Sequence, residues 1–160
     1  MTAAHHDLAD RLITQLRARG QTLATAESLT GGGLGSIITA VPGASDVYLG
    51  GVITYSIDLK ADLLGLSPAE LAAGVVSEVV AEAMAARVRR LTGAQVGLAT
   101  TGVAGPTAHG GAAPGTVCLA VSQPELTLAW TVNLPGSREQ VRAAAITEIL
   151  RVAVEQTAQV

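Results

Sequence analysis

The residues with the clearest chemical potential lie between Thr54 and Lys60, because this run contains the only lysine of the chain and one of its two tyrosines, Tyr55. Lysine can lose its proton when it is desolvated, whereas arginine stays charged. A desolvated lysine beside a serine acts as a general base in Ser-Lys hydrolases. The run therefore predicts a catalytic segment, the alternative being that Lys60 is an ordinary exposed lysine on a helix.

A glycine-rich segment, Ala26 to Gly33, joins a predicted strand to a predicted helix and reads AESLTGGG. Glycines allow the backbone to approach a ligand, and the start of the next helix offers unpaired N–H groups at the positive end of its dipole. Such a segment is suited to bind a phosphate or an oxyanion, although it matches neither the P-loop nor the dinucleotide-binding motif. The alternative is that Ser28 and Thr30 only cap the helix.

A second glycine-rich loop, Thr100 to Pro106, leaves another predicted strand. Its backbone N–H groups and the Thr101 hydroxyl are able to hold a substrate, and the alternative is a plain turn. His109 lies further along the same loop, where a histidine can act as a general acid. No partner for His109 is evident, so we expect it to be solvated.

Two arginines, Arg138 and Arg142, lie one helical turn apart at the start of the last predicted helix. The positive end of the helix dipole disfavours cations at this position. One of the two is therefore a candidate to bind an anion, with a solvent-facing pair as the alternative.

The composition argues against several classes of protein. The net charge is −3 and no cluster of basic residues stands out, which argues against non-specific binding of nucleic acid. The single cysteine, Cys118, lies in an apolar run, and we expect it to be buried and inert. The chain shows no signal peptide and no apolar run long enough to span a membrane, so we expect a cytoplasmic protein without membrane contact. We expect His5 and His6 to be solvated rather than bound to a metal.

These candidate residues must be positioned by alternating strands and helices. Apolar runs predict strands over residues 21–26, 48–54, 95–100, 115–122 and 126–132. Helical spacing and capping residues predict helices over residues 5–19, 34–41, 57–64, 78–91 and 138–155, with a brief helix after Ser67. Strands separated by helices imply a largely parallel sheet covered on both faces, and the late hairpin reverses one strand. We therefore predict one domain over residues 1–160, an α/β protein with a three-layer α/β/α sandwich and a mixed sheet of about five strands, one of them antiparallel. Its ligand site is expected at the carboxyl ends of the strands.

Taken together and in order, the motifs resemble the C-terminal domain of the CinA family, the nicotinamide mononucleotide deamidases. The matching segments are Ala26-Glu27-Ser28, Thr30-Gly31-Gly32, Val41-Pro42-Gly43, Gly50-Gly51-Val52, Tyr55-Ser56, Lys60, Val76-Ser77, Thr101 to Pro106 and Gly115-Thr116-Val117, and they cover roughly residues 8 to 155. The resemblance implies hydrolysis of the carboxamide of nicotinamide mononucleotide to nicotinic acid mononucleotide and ammonia, without a metal or a cofactor. It also implies a three-layer fold, a homodimer and a stand-alone form of the domain.

The resemblance places the catalytic residues at Ser28, Tyr55 and Lys60. Ser28 would attack the amide carbon, and Lys60, directly or through Tyr55, would carry the proton from the serine to the leaving ammonia. Backbone N–H groups near Gly31 and Gly32 would stabilise the oxyanion. The substrate-binding residues that the resemblance implies are Glu27, Thr30, Gly31, Gly32, Thr101, Gly102, Gly105 and Arg142. The second glycine-rich loop or Arg142 would hold the ribose phosphate.

The chain departs from the family pattern in three places that touch the expected pocket. Ile57 stands where members usually carry asparagine, Ala73 stands where members often carry histidine, and the loop from Thr107 to Ala113 is usually richer in glycine. Two alternatives therefore stand beside the deamidase. One is a catalytically degenerate member that binds a nucleotide or a protein partner, and the other is an amidase for a different small amide.

Overall fold

The structure of the protein, a computed structural model, describes residues 2–72 and 74–158. Within these ranges five strands form one sheet: β1 (Leu23–Glu27), β2 (Tyr48–Ile53), β3 (Val96–Gly102), β4 (Thr116–Ser122) and β5 (Thr127–Asn133). Their order across the sheet is β2-β1-β3-β4-β5. β1 pairs in parallel with β2 and β3, whereas β4 is antiparallel to both β3 and β5. The predicted mixed sheet with one reversed strand is confirmed.

The described helices cover both faces of this sheet: α1 (Ala3–Ala18), α2 (Gly33–Thr39), α3 (Ile57–Leu64), α4 (Pro68–Ala72), α5 (Glu78–Thr92) and α6 (Arg138–Ala158). Helices α1, α2 and α6 pack with Leu23 and Leu98 in one core. Helix α5 and the end of α3 pack with Ala24 and Ala99 in a second core. Successive residues of a strand point to opposite faces, so the sheet separates the two cores. The result is the predicted three-layer α/β/α sandwich.

The core between α5 and the sheet is built from small side chains. Alanines of α5 face alanines of β1, β3 and β4. The helix approaches β3 so closely that a side-chain atom added at Gly97 would contact the backbone carbonyl of Ala85. A chain with 2% aromatic residues can pack at protein density only if its layers approach in this way.

Helix α3 begins at a serine cap and ends at a glycine. The Ser56 hydroxyl accepts a hydrogen bond from the backbone N–H of Leu59 at 3.1 Å. Gly65 follows the last helical residue with a φ angle of 67°, a left-handed conformation that glycine adopts without strain. Ser77 caps α5 in the same way. The predicted bounds of α3 are confirmed, and they fix the position of Lys60 relative to the sheet.

The expectation that both N-terminal histidines are solvated is wrong for His5. Its side chain is buried, with its Nε2 atom 3.0 Å from the carbonyl of Ala143 and 2.8 Å from the Thr147 hydroxyl, both on α6. Its Nδ1 atom also accepts from the backbone N–H of Thr2, which caps α1. His5 therefore ties the start of α1 to α6, whereas His6 is exposed.

Cys118 lies in the core between the sheet and α5, as predicted, and desolvation raises the pKa of its thiol. Across residues 2–72 and 74–158, no helix is both long enough and apolar enough to cross a membrane. In the same residues, no three His, Cys, Asp or Glu side chains group closely enough to share a metal ion.

Candidate active site

The candidate site forms where β1, β2 and β3 end at one edge of the sheet, the usual ligand position beside parallel strands. Ser28 follows β1 directly, and its backbone N–H donates to the carbonyl of Thr100 on β3 at 2.8 Å. Thr54 follows β2, and its backbone N–H donates to the carbonyl of Glu27 at 2.9 Å. Strand pairing therefore continues for one residue beyond β1 and β2 and fixes the backbone at Ser28 and Thr54.

The side chain of Lys60 reaches from α3 to the end of β1. Its Nζ atom donates to the Ser28 hydroxyl at 3.0 Å and to the Thr54 carbonyl at 2.7 Å. Lys60 is 2% exposed and Ser28 is 8% exposed. The structure thus brings together the lysine and the serine that the sequence singled out, which lie 32 positions apart in the chain.

Burial lowers the pKa of Lys60 to about 8, because the charged ammonium loses its hydration. Both of its hydrogen-bond partners are neutral, and within the described residues no carboxylate forms an ion pair with it. At neutral pH roughly a tenth of the molecules therefore carry a neutral amine at Lys60. A neutral amine has a lone pair for the Ser28 proton and an N–H for the Thr54 carbonyl, so this geometry is suited to general-base catalysis.

The carboxylate of Glu27 occupies the position at the start of α2 where the sequence predicted a bound anion. It accepts hydrogen bonds from the backbone N–H groups of Gly32, Leu34 and Gly35 at 2.8–3.1 Å, and from the Thr30 hydroxyl at 2.7 Å. Glu27 is 2% exposed, so these bonds are shielded from water. The resemblance implies that Glu27, Thr30 and the N–H of Gly32 contact the substrate, whereas in this structure their polar groups bond one another.

Arg142 supports the same loop from the other side and does not line the cavity. Its Nε and Nη2 atoms donate to the carbonyls of Leu29 and Thr30 at 3.1 Å and 2.8 Å. The N–H of Gly31, the other expected oxyanion donor, bonds the carbonyl of Ser28 at 3.1 Å. Arg142 and Gly31 are therefore placed to hold the shape of residues 28–32, the serine loop, whereas the resemblance implies that they contact the substrate.

An open cavity of about 310 Å³ lies in front of Ser28 and Lys60. Its walls come from the residues after β1, β2 and β3, from residues 75–76 and from the first residue of α6. The lining residues are Ser28, Leu29, Tyr55, Ile57, Lys60, Val75, Val76, Thr101, Gly102, Val103, Ala104, Gly105, Thr107, His109 and Arg138. None of these lining residues carries a carboxylate, so the charge that the cavity presents is positive.

Tyr55 lies at the mouth of this cavity and is 56% exposed. Its hydroxyl accepts a hydrogen bond from Arg138 Nη2 at 2.6 Å, and Arg138 Nη1 donates to the carbonyl of Gly105 at 3.1 Å. Among the described contacts, the Tyr55 hydroxyl bonds neither Ser28 nor Lys60. The expected proton relay through Tyr55 is therefore not formed here, and Tyr55 with Gly105 instead belongs to the cavity wall.

The predicted residues at the end of β3 shape the opposite wall. The Thr101 hydroxyl donates to the carbonyl of Val75 at 2.8 Å and so fixes the segment beside the cavity. Gly102 needs to be small, because an added Cβ would lie 2.7 Å from the carbonyl oxygen of Thr116. Ile57, one of the departures from the family pattern, lines the cavity with its side chain half exposed. Ala73, another departure, lies outside the described residues.

Sequence reasoning missed one group at the site and did not decide between two candidates for another. The carbonyl of Thr54 is a backbone acceptor and leaves no mark in the sequence. Arg138 had a signal, its position at the positive end of α6, but the same signal applied to Arg142. Which of the two arginines lines the cavity depends on how α6 packs against the rest of the protein, and the sequence does not show this.

Comparisons with known proteins identify the family of the chain. A family model described as the CinA C-terminal domain matches residues 5–157. The chain belongs to the CinA C-terminal domain family. This CinA domain is 46% identical over 133 residues to a CinA-like protein of Frankia casuarinae, which covers 82% of this chain and 31% of that protein. It is 51% identical over 121 residues to a CinA-like protein of a Synechococcus species, covering 74% of this chain and 29% of that protein. The chain thus spans about three-tenths of the length of these curated relatives.

Solved structures match the CinA domain over almost its full length. The crystal structure of a competence-damaged protein (CinA) superfamily protein from Klebsiella pneumoniae superposes with a TM-score of 0.94 at 32% sequence identity. The match covers 98% of this chain and 99% of that one. The sheet order and the layers described above are therefore those of the CinA superfamily.

Proposed function

We propose that this CinA domain is an amidohydrolase that converts nicotinamide mononucleotide to nicotinic acid mononucleotide and ammonia. One observation carries the proposal: the buried amine of Lys60 lies 3.0 Å from the Ser28 hydroxyl beside an open cavity. A serine whose proton can pass to a neutral amine is a nucleophile suited to a carboxamide carbon. The family resemblance supplies the identity of the amide.

In the proposed reaction Lys60 takes the Ser28 proton while Ser28 Oγ bonds to the amide carbon and the carbonyl electron pair moves onto oxygen. Lys60 then gives this proton to the amide nitrogen, the C–N bond breaks, and ammonia leaves an ester on Ser28. Water loses a proton to the neutral Lys60 and attacks the ester. The acid product leaves as the proton returns to Ser28, so the enzyme is regenerated without a metal or a redox group.

The oxyanion of the tetrahedral intermediate needs a donor, and the start of α2 is already bonded to Glu27. We assign this role to the backbone N–H of Leu29, which follows the nucleophile. Leu29 lines the cavity, and its N–H has no partner among the described residues. The N–H group after a catalytic serine is the usual oxyanion donor in serine hydrolases of α/β fold.

The cavity suits a small anionic amide. Its volume of about 310 Å³ lies at the lower end of the range for small-molecule sites. Arg138 and Lys60 line it, and no lining side chain is acidic. A phosphate-bearing substrate such as nicotinamide mononucleotide complements this charge.

The test is ammonia release from nicotinamide mononucleotide by the purified protein, with the acid product measured in parallel. Ser28→Ala and Lys60→Ala should each lower kcat by at least about 1,000-fold, because nucleophile and base act as one unit. Lys60→Arg is the matched control, since it keeps a cation that cannot release its proton. A folded wild-type protein that releases no ammonia, or a Lys60→Arg variant with full activity, would contradict the proposal.

A second candidate, a ligand-binding protein without turnover, is favoured by the apolar side chain of Ile57 in the cavity wall. It predicts that nicotinamide mononucleotide raises the Tm while no product forms. A panel of other small amides separates the nucleotide deamidase from an amidase of different specificity, because small changes in a pocket decide such choices.

The family resemblance also leads us to propose that the protein acts as a homodimer in the cytoplasm, with residues 1–160 forming one domain. Sedimentation analysis of the purified chain tests the dimer. Limited proteolysis tests the domain, since a single folded unit resists cleavage between its elements.

A further inference from the structure

Arg138 has donor groups that the protein itself leaves free. A guanidinium has five N–H donors. In Arg138 one of them bonds the Gly105 carbonyl and another bonds the Tyr55 hydroxyl. Three N–H donors therefore have no partner among the described residues, and the side chain lines the cavity. The two bonds also hold the guanidinium in place, so little side-chain entropy is lost when a ligand binds.

The positive charge of Arg138 is not neutralised within the described chain. It forms no ion pair there, whereas Arg17, Arg87 and Arg151 each pair with a carboxylate. As the first residue of α6 it also lies at the end of the helix dipole that repels cations. A charge kept in an unfavourable position, beside a cavity with no acidic lining residue, is suited to an anionic ligand.

Arg142, one turn later on α6, provides the contrast. Its two bonds go to the carbonyls of Leu29 and Thr30, so its guanidinium faces the serine loop and not the cavity. The two arginines share a helix and a charge, yet only Arg138 can reach a molecule in front of Ser28.

We propose that Arg138 binds the phosphate group of the substrate and thereby makes the site select a phosphorylated amide over its dephosphorylated form. The inference rests on the proposed amidohydrolase function and deepens it by naming the residue that sets the substrate class. Arg138 is a specificity-determining residue here, and Tyr55 and Gly105 position it.

The test compares nicotinamide mononucleotide with nicotinamide riboside, which lacks only the phosphate. Arg138→Ala should lower the ratio of the two kcat/KM values by about 10- to 100-fold, mainly through KM for the phosphorylated substrate. Arg138→Lys, which keeps the charge but not the planar fork, should fall in between. Arg11→Ala, on an exposed arginine of α1 paired with Asp7, is the matched control and should keep the wild-type ratio.

The Tyr55→Phe variant tests whether Arg138 binds the phosphate itself or only holds Tyr55 in place. If Arg138 served only to hold Tyr55, then Tyr55→Phe would reproduce the Arg138→Ala phenotype. We expect Tyr55→Phe to change the ratio by less than about threefold, because the guanidinium keeps its bond to Gly105. Equal losses on both substrates in Arg138→Ala would overturn the proposal.

A binding experiment keeps this inference distinct from the proposed function. Calorimetric titration of the Ser28→Ala protein with ribose 5-phosphate needs no turnover. Replacing Arg138 with alanine in that background should weaken binding at least about tenfold. If the wild type cleaves neither amide, the proposed function fails while this titration still decides the role of Arg138. Unchanged affinity for ribose 5-phosphate would refute that role.

Discussion

The two glycine-rich loops at the site look alike in sequence but are built differently. The serine loop, residues 28–32, is mostly buried, and its groups bond Glu27, Thr100 and Arg142. The second loop comprises, in the structure, all residues between β3 and β4, 103–115. It is exposed over most of residues 106–114 and contacts the rest of the protein mainly at its ends. The comparison teaches that a loop holding a nucleophile must be fixed by the protein, whereas a loop that lines a substrate cavity can leave its polar groups free.

The largest effect that we expect to distinguish the roles of the two loops is on the pH dependence of activity. Because a protonated Lys60 cannot take the Ser28 proton, kcat/KM should rise about tenfold per pH unit and level off above the Lys60 pKa of about 8. Initial rates of ammonia release from about pH 6 to about pH 9 measure this profile. In His109→Ala, on the second loop, the midpoint should stay in place. A shifted midpoint in that variant would put the base on the second loop.

Next in size is the effect of Glu27→Gln on stability. The amide has one oxygen where the carboxylate accepts from four donors, so backbone N–H groups of α2 lose partners. We expect the free energy of unfolding to fall by about 2–4 kcal/mol, measured by urea denaturation. Thr107→Ala, on the exposed second loop, is the control and should change it by less than about 0.5 kcal/mol. Similar losses of unfolding free energy in Glu27→Gln and Thr107→Ala would contradict the proposed difference between the two loops.

Lys60, which donates to Ser28 in the serine loop, should also carry a stability cost that depends on pH. The pKa of Lys60 falls from 10.5 to about 8 on folding, so between these values the unfolded chain binds more protons. The stability of the wild type should therefore rise with pH in this window, by about 3 kcal/mol relative to Lys60→Met, and stay level below it. Denaturation of both proteins at several pH values measures the difference. A difference that does not vary with pH would show that the lysine is charged equally in both states.

The smallest expected effect concerns one glycine from each loop. Gly32 and Gly111 have φ angles of 91° and 80°, so alanine is strained at both, by about 1 kcal/mol. At Gly32 the new Cβ would also lie 3.0 Å from Ile53 Cδ1, whereas at Gly111 it would contact nothing within 4 Å. Gly32→Ala should therefore cost about 0.5–1 kcal/mol more than Gly111→Ala in urea denaturation. Equal costs would mean that the Ile53 side chain moves aside without cost.

Much of the fold could be predicted because local signals and layer rules agree. Ser56 and Gly65 mark both ends of α3, and alternating strands and helices lead to one sheet with a reversed strand. The meeting of Ser28 and Lys60 was also within reach, because a lone lysine in an arginine-using chain is a chemical signal. His5 was misjudged because its burial depends on α6, more than 130 residues away.

The hydrogen-bond partners within the site could not be predicted, for a physical reason. Free N–H groups at a helix start attract any anion, and the sequence does not say whether it comes from a ligand or, as here, from Glu27. Likewise Arg138 and Arg142 lie one helical turn apart on nearly the same face of α6. This step along the axis places one guanidinium at the cavity and the other at the carbonyls of the serine loop. Such choices depend on ångström-scale distances between separate elements.

The buried carboxylate of Glu27 at the start of α2 affects how a ligand can be oriented in the cavity. This carboxylate would repel the phosphate of the proposed ligand. The phosphate therefore cannot bind at the N-terminus of α2, although helix N-termini bind phosphates in many nucleotide-binding proteins. In the proposed binding mode the phosphate therefore lies at Arg138 and the carboxamide lies beside Ser28, both of which line the cavity. On this proposal the buried carboxylate of Glu27 determines the orientation of the ligand in the cavity.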